Sequence, residues 1–208
     1  MGTFLEMIAR IACLLVLTAL AACGRPSLDA DAIRAQLSRE QLNTVEDPLL
    51  LADLPTLDRA ATLVVAAHSG DVLSWRTGDA TQLSFRDGVL VTTRGLGNDL
   101  MSADVSETRT ALRRGIAPNV YYKKFHSYLD GENQTVLRSF MCRQARQGTE
   151  TVTLVGAAHR VTRIAERCVS THEEVNNIYW VGSDGTMWKS QQWISPGAGY
   201  VVTERLVK

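Results

Sequence analysis

The chain has 208 residues, with 22 Lys plus Arg against 22 Asp plus Glu, so its formal net charge is zero. That balance supplies no global field for nucleic acid or for an anionic lipid surface. The length suits one domain with a sizeable core, and no low-complexity tract interrupts it.

The first residues place a positive Arg10 before an apolar run from Ile11 to Ala22. The run is too short to serve as a mature membrane-spanning helix and reads as an export signal. It ends in Leu20-Ala21-Ala22-Cys23, which resembles the lipobox of bacterial lipoproteins. In that class the cysteine thiol is diacylated and the chain is cut just before it, and several acyl chains together hold a protein stably on a bilayer. Gly24, not Asp, follows the cysteine, and in the lipoprotein class this favours the outer membrane. Residues 1–22 are therefore expected to leave as a signal, Cys23 to carry lipid, and residues 23–30 to form a short tether. Cys13 leaves with the signal, so Cys142 and Cys168 remain as a pair in an oxidising compartment and are expected to form a disulfide. Neither has a second Cys at a zinc-ligand interval.

Asp29 to Val45 reads as a helix, with Asp29 or Asp31 as cap and Ile33, Leu37 and Leu42 as an apolar stripe. Asp47-Pro48 ends it. Leu49-Leu50-Leu51 and Leu54 form an apolar patch expected to dock on the main domain, so residues 31–58 are taken as helix plus docking segment. From residue 59 to 208 the pattern has period two. Leu63-Val65, Val72-Trp75, Thr81-Phe85 and Val89-Thr93 are short strands separated by Ser69-Gly70-Asp71, Gly78-Asp79 and Asp87-Gly88 turns. Longer strands follow at Val120–Leu129, Thr135–Arg143, Glu150–Val155, His159–Val169, Val175–Gly182, Met187–Ile194 and Tyr200–Leu206. A two-residue turn at Asp184-Gly185 predicts Trp180 opposite Lys189, with Val181 opposite Trp188. Ten or more antiparallel strands describe an all-β domain, a large meander closed as a barrel or folded as a sandwich, with a short N-terminal helix. Closure is attractive because it removes exposed edges.

Arg94-Gly95-Leu96-Gly97 after a strand raises the question of a phosphate loop. The third glycine position holds Leu100 and no βαβ unit surrounds it, so Gly95 and Gly97 are expected to serve a sharp turn at positive φ. His172-Glu173-Glu174-Val175-Asn176 begins like a zinc-protease helix but has Asn176 where the second histidine belongs. There is no Gly-x-Ser-x-Gly elbow. No catalytic residue, metal or cofactor is expected. Arg109, Arg113 and Arg114 in the segment 104–119, with Lys123 and Lys124 soon after, form a candidate binding patch for an acidic polymer; read blandly, the run is a solvated loop.

Two stretches carry a resemblance: "FRDGVLVTTRGLGNDL" (85–100) and "GTMWKSQQWISPGAGYVVTERLVK" (185–208). With the lipobox, they make the chain resemble the YjbF family of outer-membrane lipoproteins, which includes the group 4 capsule lipoprotein GfcB. The resemblance covers roughly 61–208. It implies an antiparallel barrel-like fold and a role in exopolysaccharide or capsule production, and it brings no catalytic residue. The expected function is a lipid-anchored, non-catalytic accessory on the periplasmic face of the outer membrane, beside a porin-like polysaccharide export protein and in contact with acidic polysaccharide. The alternatives are a periplasmic polysaccharide-modifying enzyme and a structural envelope lipoprotein.

Overall fold

The computed structural model describes residues 29–117 and 119–208. Cys23 and the tether up to residue 28 lie outside the described residues. Asp29 caps the first helix, α1 (Ala30–Gln36), by accepting a 2.6 Å hydrogen bond from the Ala32 amide. The single helix expected over 29–45 is two: Leu37 is extended, and Ser38 starts α2 (Arg39–Leu42) through a capping box with Gln41. The predicted stripe does dock, with Ile33, Leu37 and Leu42 covering Leu51 and Leu206. The Arg39 guanidinium fixes the pair by donating to the Leu154, Val155 and Leu206 carbonyls.

The Leu49–Leu54 segment corrects the expectation of a docking patch. It is strand β1, paired with β2 (Arg59–Ser69) on one side and β12 (Gly199–Val207) on the other. Both of its faces are buried: Leu50, Ala52 and Leu54 join the main core, and Leu51 lies under the helices. A strand covered on both faces reads as an unbroken apolar run and hides its alternation.

β3 (Val72–Arg76), β4 (Gln82–Arg86) and β5 (Val89–Arg94) continue from β2 as a meander. β6 (Ser102–Asp104), β7 (Tyr122–Leu129), β8 (Thr135–Leu154), β9 (Ala157–Val169), β10 (Glu174–Gly182) and β11 (Met187–Ser195) lead to β12. The sheet order β5-β4-β3-β2-β1-β12-β11-β10-β9-β8-β7-β6 leaves β5 and β6 as its two edges. These edges are consecutive in sequence, and the Thr93 amide donates to the Leu100 carbonyl at 2.9 Å between them. The result is an antiparallel, nearly closed twelve-stranded barrel.

Three local expectations change. The break expected between strands Thr135–Arg143 and Glu150–Val155 is a bulge at Gly148 (φ 116°) inside one 20-residue strand, β8. In the β10–β11 hairpin Trp180 does face Lys189, but a shift after Trp180 puts Val181 opposite Met187. Trp188 instead stacks on His159, with ring centroids 3.5 Å apart. The segment 104–119 holds a helix, α3 (Ser106–Arg114), ended by Gly115 at φ 71°. Thr108, Ala111 and Leu112 are its buried face, and Leu112 packs with Ile164, Tyr179 and Met187.

Candidate functional site

Gly95 and Gly97 have φ of 88° and 85°, the left-handed region that favours glycine. The loop they form wraps an anion of the protein's own. The Asp99 carboxylate accepts from Thr93 Oγ1 at 2.7 Å, from the Gly95 amide at 3.1 Å and from the Leu96 amide at 3.3 Å. Thr93 Oγ1 in turn accepts from the Leu100 amide at 2.9 Å. Where a phosphate would need free amides, a carboxylate already occupies them, so the turn is structural.

The C-terminal motif meets this same seam. The Gln192 side chain accepts from the Leu90 amide and donates to the Gly88 carbonyl, each at 2.8 Å. Ser195 Oγ donates to the Asn98 carbonyl at 2.5 Å. A Cβ on Gly197 would fall 2.4 Å from the exposed Asn98 side chain, which would have to swing aside. The two stretches that carried the family resemblance are thus parts of one device that closes the barrel.

The five basic residues do not form one surface. Arg109 pairs with Asp71 and Asp87, and Arg113 pairs with Asp87. Lys124 points into the barrel, 4% exposed, because β7 alternates and its even-numbered residues face inward. Arg114 and Lys123 face solvent without an ion pair among the described residues. A run of like charges on paper becomes one interior cation, two neutralised arginines and two solvated side chains.

Lys124 leads to a feature that sequence reading missed. Its Nζ lies 3.0 Å from Glu166 Oε2, in the barrel interior. The same carboxylate accepts from Thr108 Oγ1 (2.8 Å), the Tyr122 hydroxyl (2.5 Å), Asn177 Nδ2 (2.7 Å) and the Tyr179 hydroxyl (2.8 Å). Burial alone would raise the Glu166 carboxyl, but the Lys124 charge and the hydrogen bonds from Tyr122, Asn177 and Lys124 outweigh it and hold the group well below the ordinary carboxylate value. Both tyrosines are pushed upward, first by burial and then by the Glu166 charge. Nearby His126 is 3% exposed and bonds the Tyr128 hydroxyl through Nδ1 at 2.8 Å. Burial, then the Lys124 charge, lowers His126 to about 3, so it is neutral. The only sequence trace of this hub was the period-two placement of Lys124 among inward residues.

Cys142 and Cys168 are bonded, as expected, across paired positions of β8 and β9, and both are fully buried. Their sulfurs and Glu166 are the one cluster of metal-ligand atoms among the described residues. The sulfurs are bound to each other and the carboxylate already has five donors, so this set does not fit a metal ion.

At one end of the barrel two cavities share Asp87, Gly185 and Met187. One of about 430 Å³ reaches Trp75 and Arg205, and the other, of about 660 Å³, lies between α3 and the β9–β10 wall. Outside, Phe125, Leu129, Leu137, Met141 and Val169 form an exposed apolar strip on β7–β9, with Leu137 70% exposed.

Comparison with known proteins places this geometry. No curated protein matches the sequence. The crystal structure of the hypothetical lipoprotein YmcC from Escherichia coli K12 shares the fold, with a TM-score of 0.73 over 89% of this chain and 98% of that one, at 18% identity. The family model described as "Group 4 capsule polysaccharide lipoprotein gfcB, YjbF" matches residues 20–206, from the first residue of the lipobox almost to the end of β12. The chain belongs to the group 4 capsule polysaccharide lipoprotein family.

Proposed function

We propose that the protein is a lipid-anchored, non-catalytic accessory of capsule or exopolysaccharide production, held through Cys23 on the periplasmic face of the outer membrane beside a porin-like export protein. The observation that carries this reading is the family match, which starts at the lipobox and runs through the whole barrel. The absence of catalytic work is supported by the interior chemistry. Glu166 has every lone-pair direction engaged and a lowered proton affinity, so it is poorly placed to exchange a proton with substrate. A contact role is supported by the apolar strip from Phe125 to Val169, since exposed apolar surface of this kind marks interaction sites. Confinement of two partners to one membrane raises their effective concentration, so a modest affinity suffices.

The test is a deletion strain complemented with wild type or with Cys23→Ser. Deletion should lower exported polysaccharide without changing its repeat unit, and Cys23→Ser, being unacylated, should restore little of it. An altered repeat unit at normal yield would replace this reading by the modifying enzyme. Unchanged yield and chemistry would leave a structural envelope lipoprotein.

A further inference from the structure

We infer that the 430 Å³ cavity at the barrel mouth is a binding site for a carboxylated pyranose, with Arg205 as the carboxylate anchor and Trp75 and its neighbours as the apolar floor. The inference rests on the proposed polysaccharide role only for the source of such a sugar. The site itself stands on three observations.

The first is an unpaired cation. Arg205 sits on β12 opposite Leu50 of β1 and points inward, half-buried. Its Nε reaches the Met187 carbonyl at 3.4 Å, and its guanidinium carbon lies 5.4 Å from the centre of the Trp75 ring. No carboxylate pairs with it among the described residues, and burial, with no opposing charge, lowers its proton affinity. A half-buried guanidinium without a counter-ion is partly desolvated, a cost that an incoming anion offsets, and its fork matches a carboxylate bidentately.

The second is the charge of the surrounding mouth. Asp71 and Asp87 also line the cavity, but Arg86, Arg109 and Arg113 are paired onto these two, and Lys208 is paired with Asp184. Three arginines on two aspartates leave the rim no net negative charge to repel an anion.

The third is shape. Leu50, Leu73, Trp75, Phe85 and Met187 give the cavity an apolar wall beneath the guanidinium. A cavity of 430 Å³ lies in the range of small-molecule sites. An acidic pyranose presents what this arrangement takes: one carboxylate for Arg205 and a face of C–H groups for the wall. The neighbouring 660 Å³ cavity across Met187 and Gly185 gives room for the next residues of a chain.

The experiment uses full-length lipidated protein in detergent, with tryptophan indoles labelled for NMR, titrated separately with sodium glucuronate, glucose and sodium phosphate. The Trp75 resonance is assigned with Trp75→Phe. Glucuronate should saturate a shift of the Trp75 indole at millimolar concentration, with glucose at least about tenfold weaker. Arg205→Gln should weaken glucuronate by about tenfold or more, and Arg205→Lys should recover part of that loss. Unchanged positions of the other indoles will show that both variants are folded. Absence of a saturable Trp75 shift in the wild type overturns the site, as does equal binding of glucose or full affinity in Arg205→Gln. Phosphate binding as tight as glucuronate also overturns it, because the site would then take an anion without the sugar. A deletion strain that exports less polymer while the wild-type protein ignores glucuronate would remove this site and leave the accessory role standing.

Discussion

The seam loop between β5 and β6 and the interior of the β7–β10 wall each organise around one carboxylate, in different ways. Asp99 at the seam is half-exposed and takes two backbone amides and one hydroxyl, all from residues within six positions of itself. Glu166 is fully buried and takes five side-chain donors from β7, α3 and β10, separated from it by 11 to 58 positions. The first is a local turn written in consecutive letters. The second exists only once the barrel has closed. A local anion site can be repaired by its own segment, whereas a buried hub leaves a charge stranded when one member is lost.

That difference sets the largest expected effect. Glu166→Gln should destabilise the protein by about 3 to 5 kcal/mol, because the Lys124 ammonium stays buried without its partner. Denaturant unfolding of Glu166→Gln, Lys124→Met and the double variant measures this. The double variant should be more stable than the sum of the two losses implies, and strict additivity would show that the pair is not coupled.

The disulfide shares the Glu166 strand and comes next. Cys142→Ala should cost about 2 to 5 kcal/mol. Unfolded, unreduced protein should offer neither Cys142 nor Cys168 to an alkylating reagent, and labelling of both would remove the bridge.

Acid should act on this wall through His126 and Glu166. Folded His126 stays neutral down to about 3, whereas in the unfolded chain it takes a proton near 6.5. The unfolded state binds more protons in that window, so stability is full above it and falls by about 1.4 kcal/mol per pH unit as pH drops through it. Glu166, with its lowered value, adds a loss in the same direction below the ordinary carboxylate range. Stability measured from pH 7 to 5 should flatten in His126→Gln, which stays uncharged; an unchanged slope would locate the sensitivity elsewhere.

The smallest effects belong to the seam. Gly95→Val should cost about 1 to 2 kcal/mol for its positive φ, and its Cβ also meets the Thr81 Cα at 3.3 Å. Gly97→Ala meets nothing within 4 Å and should cost only the backbone strain. Thermal melts rank the two, and equal losses would mean that the Thr81 contact gives way freely.

Much of the barrel was legible because one-sided burial leaves alternation in the letters. β3, β4, β9 and β12 fall within a few residues of their expected ends, and the cysteine pair followed from compartment and count. β1 was hidden because both its faces are covered, and α3 because it lacks a side-chain cap and buries only three residues. The basic cluster was misread because adjacent letters on a strand point to opposite faces, which sends Lys124 inward and Lys123 outward.

The sequence by itself determined what short-range chemistry determines: the strand periods, the glycine turn at 95–97, the lipobox and the family motifs at 85–100 and 185–208. Only the tertiary structure decided that those two motifs are one closure, with Gln192 and Ser195 reaching across to Gly88, Leu90 and Asn98. It alone also decided that Glu166 collects five donors and that Arg205 has no counter-ion among the described residues at the barrel mouth. The physical reason is that a side chain's partner in a closed sheet is set by register and curvature, and residues more than a hundred positions apart become neighbours only when the last strand pairs with the first.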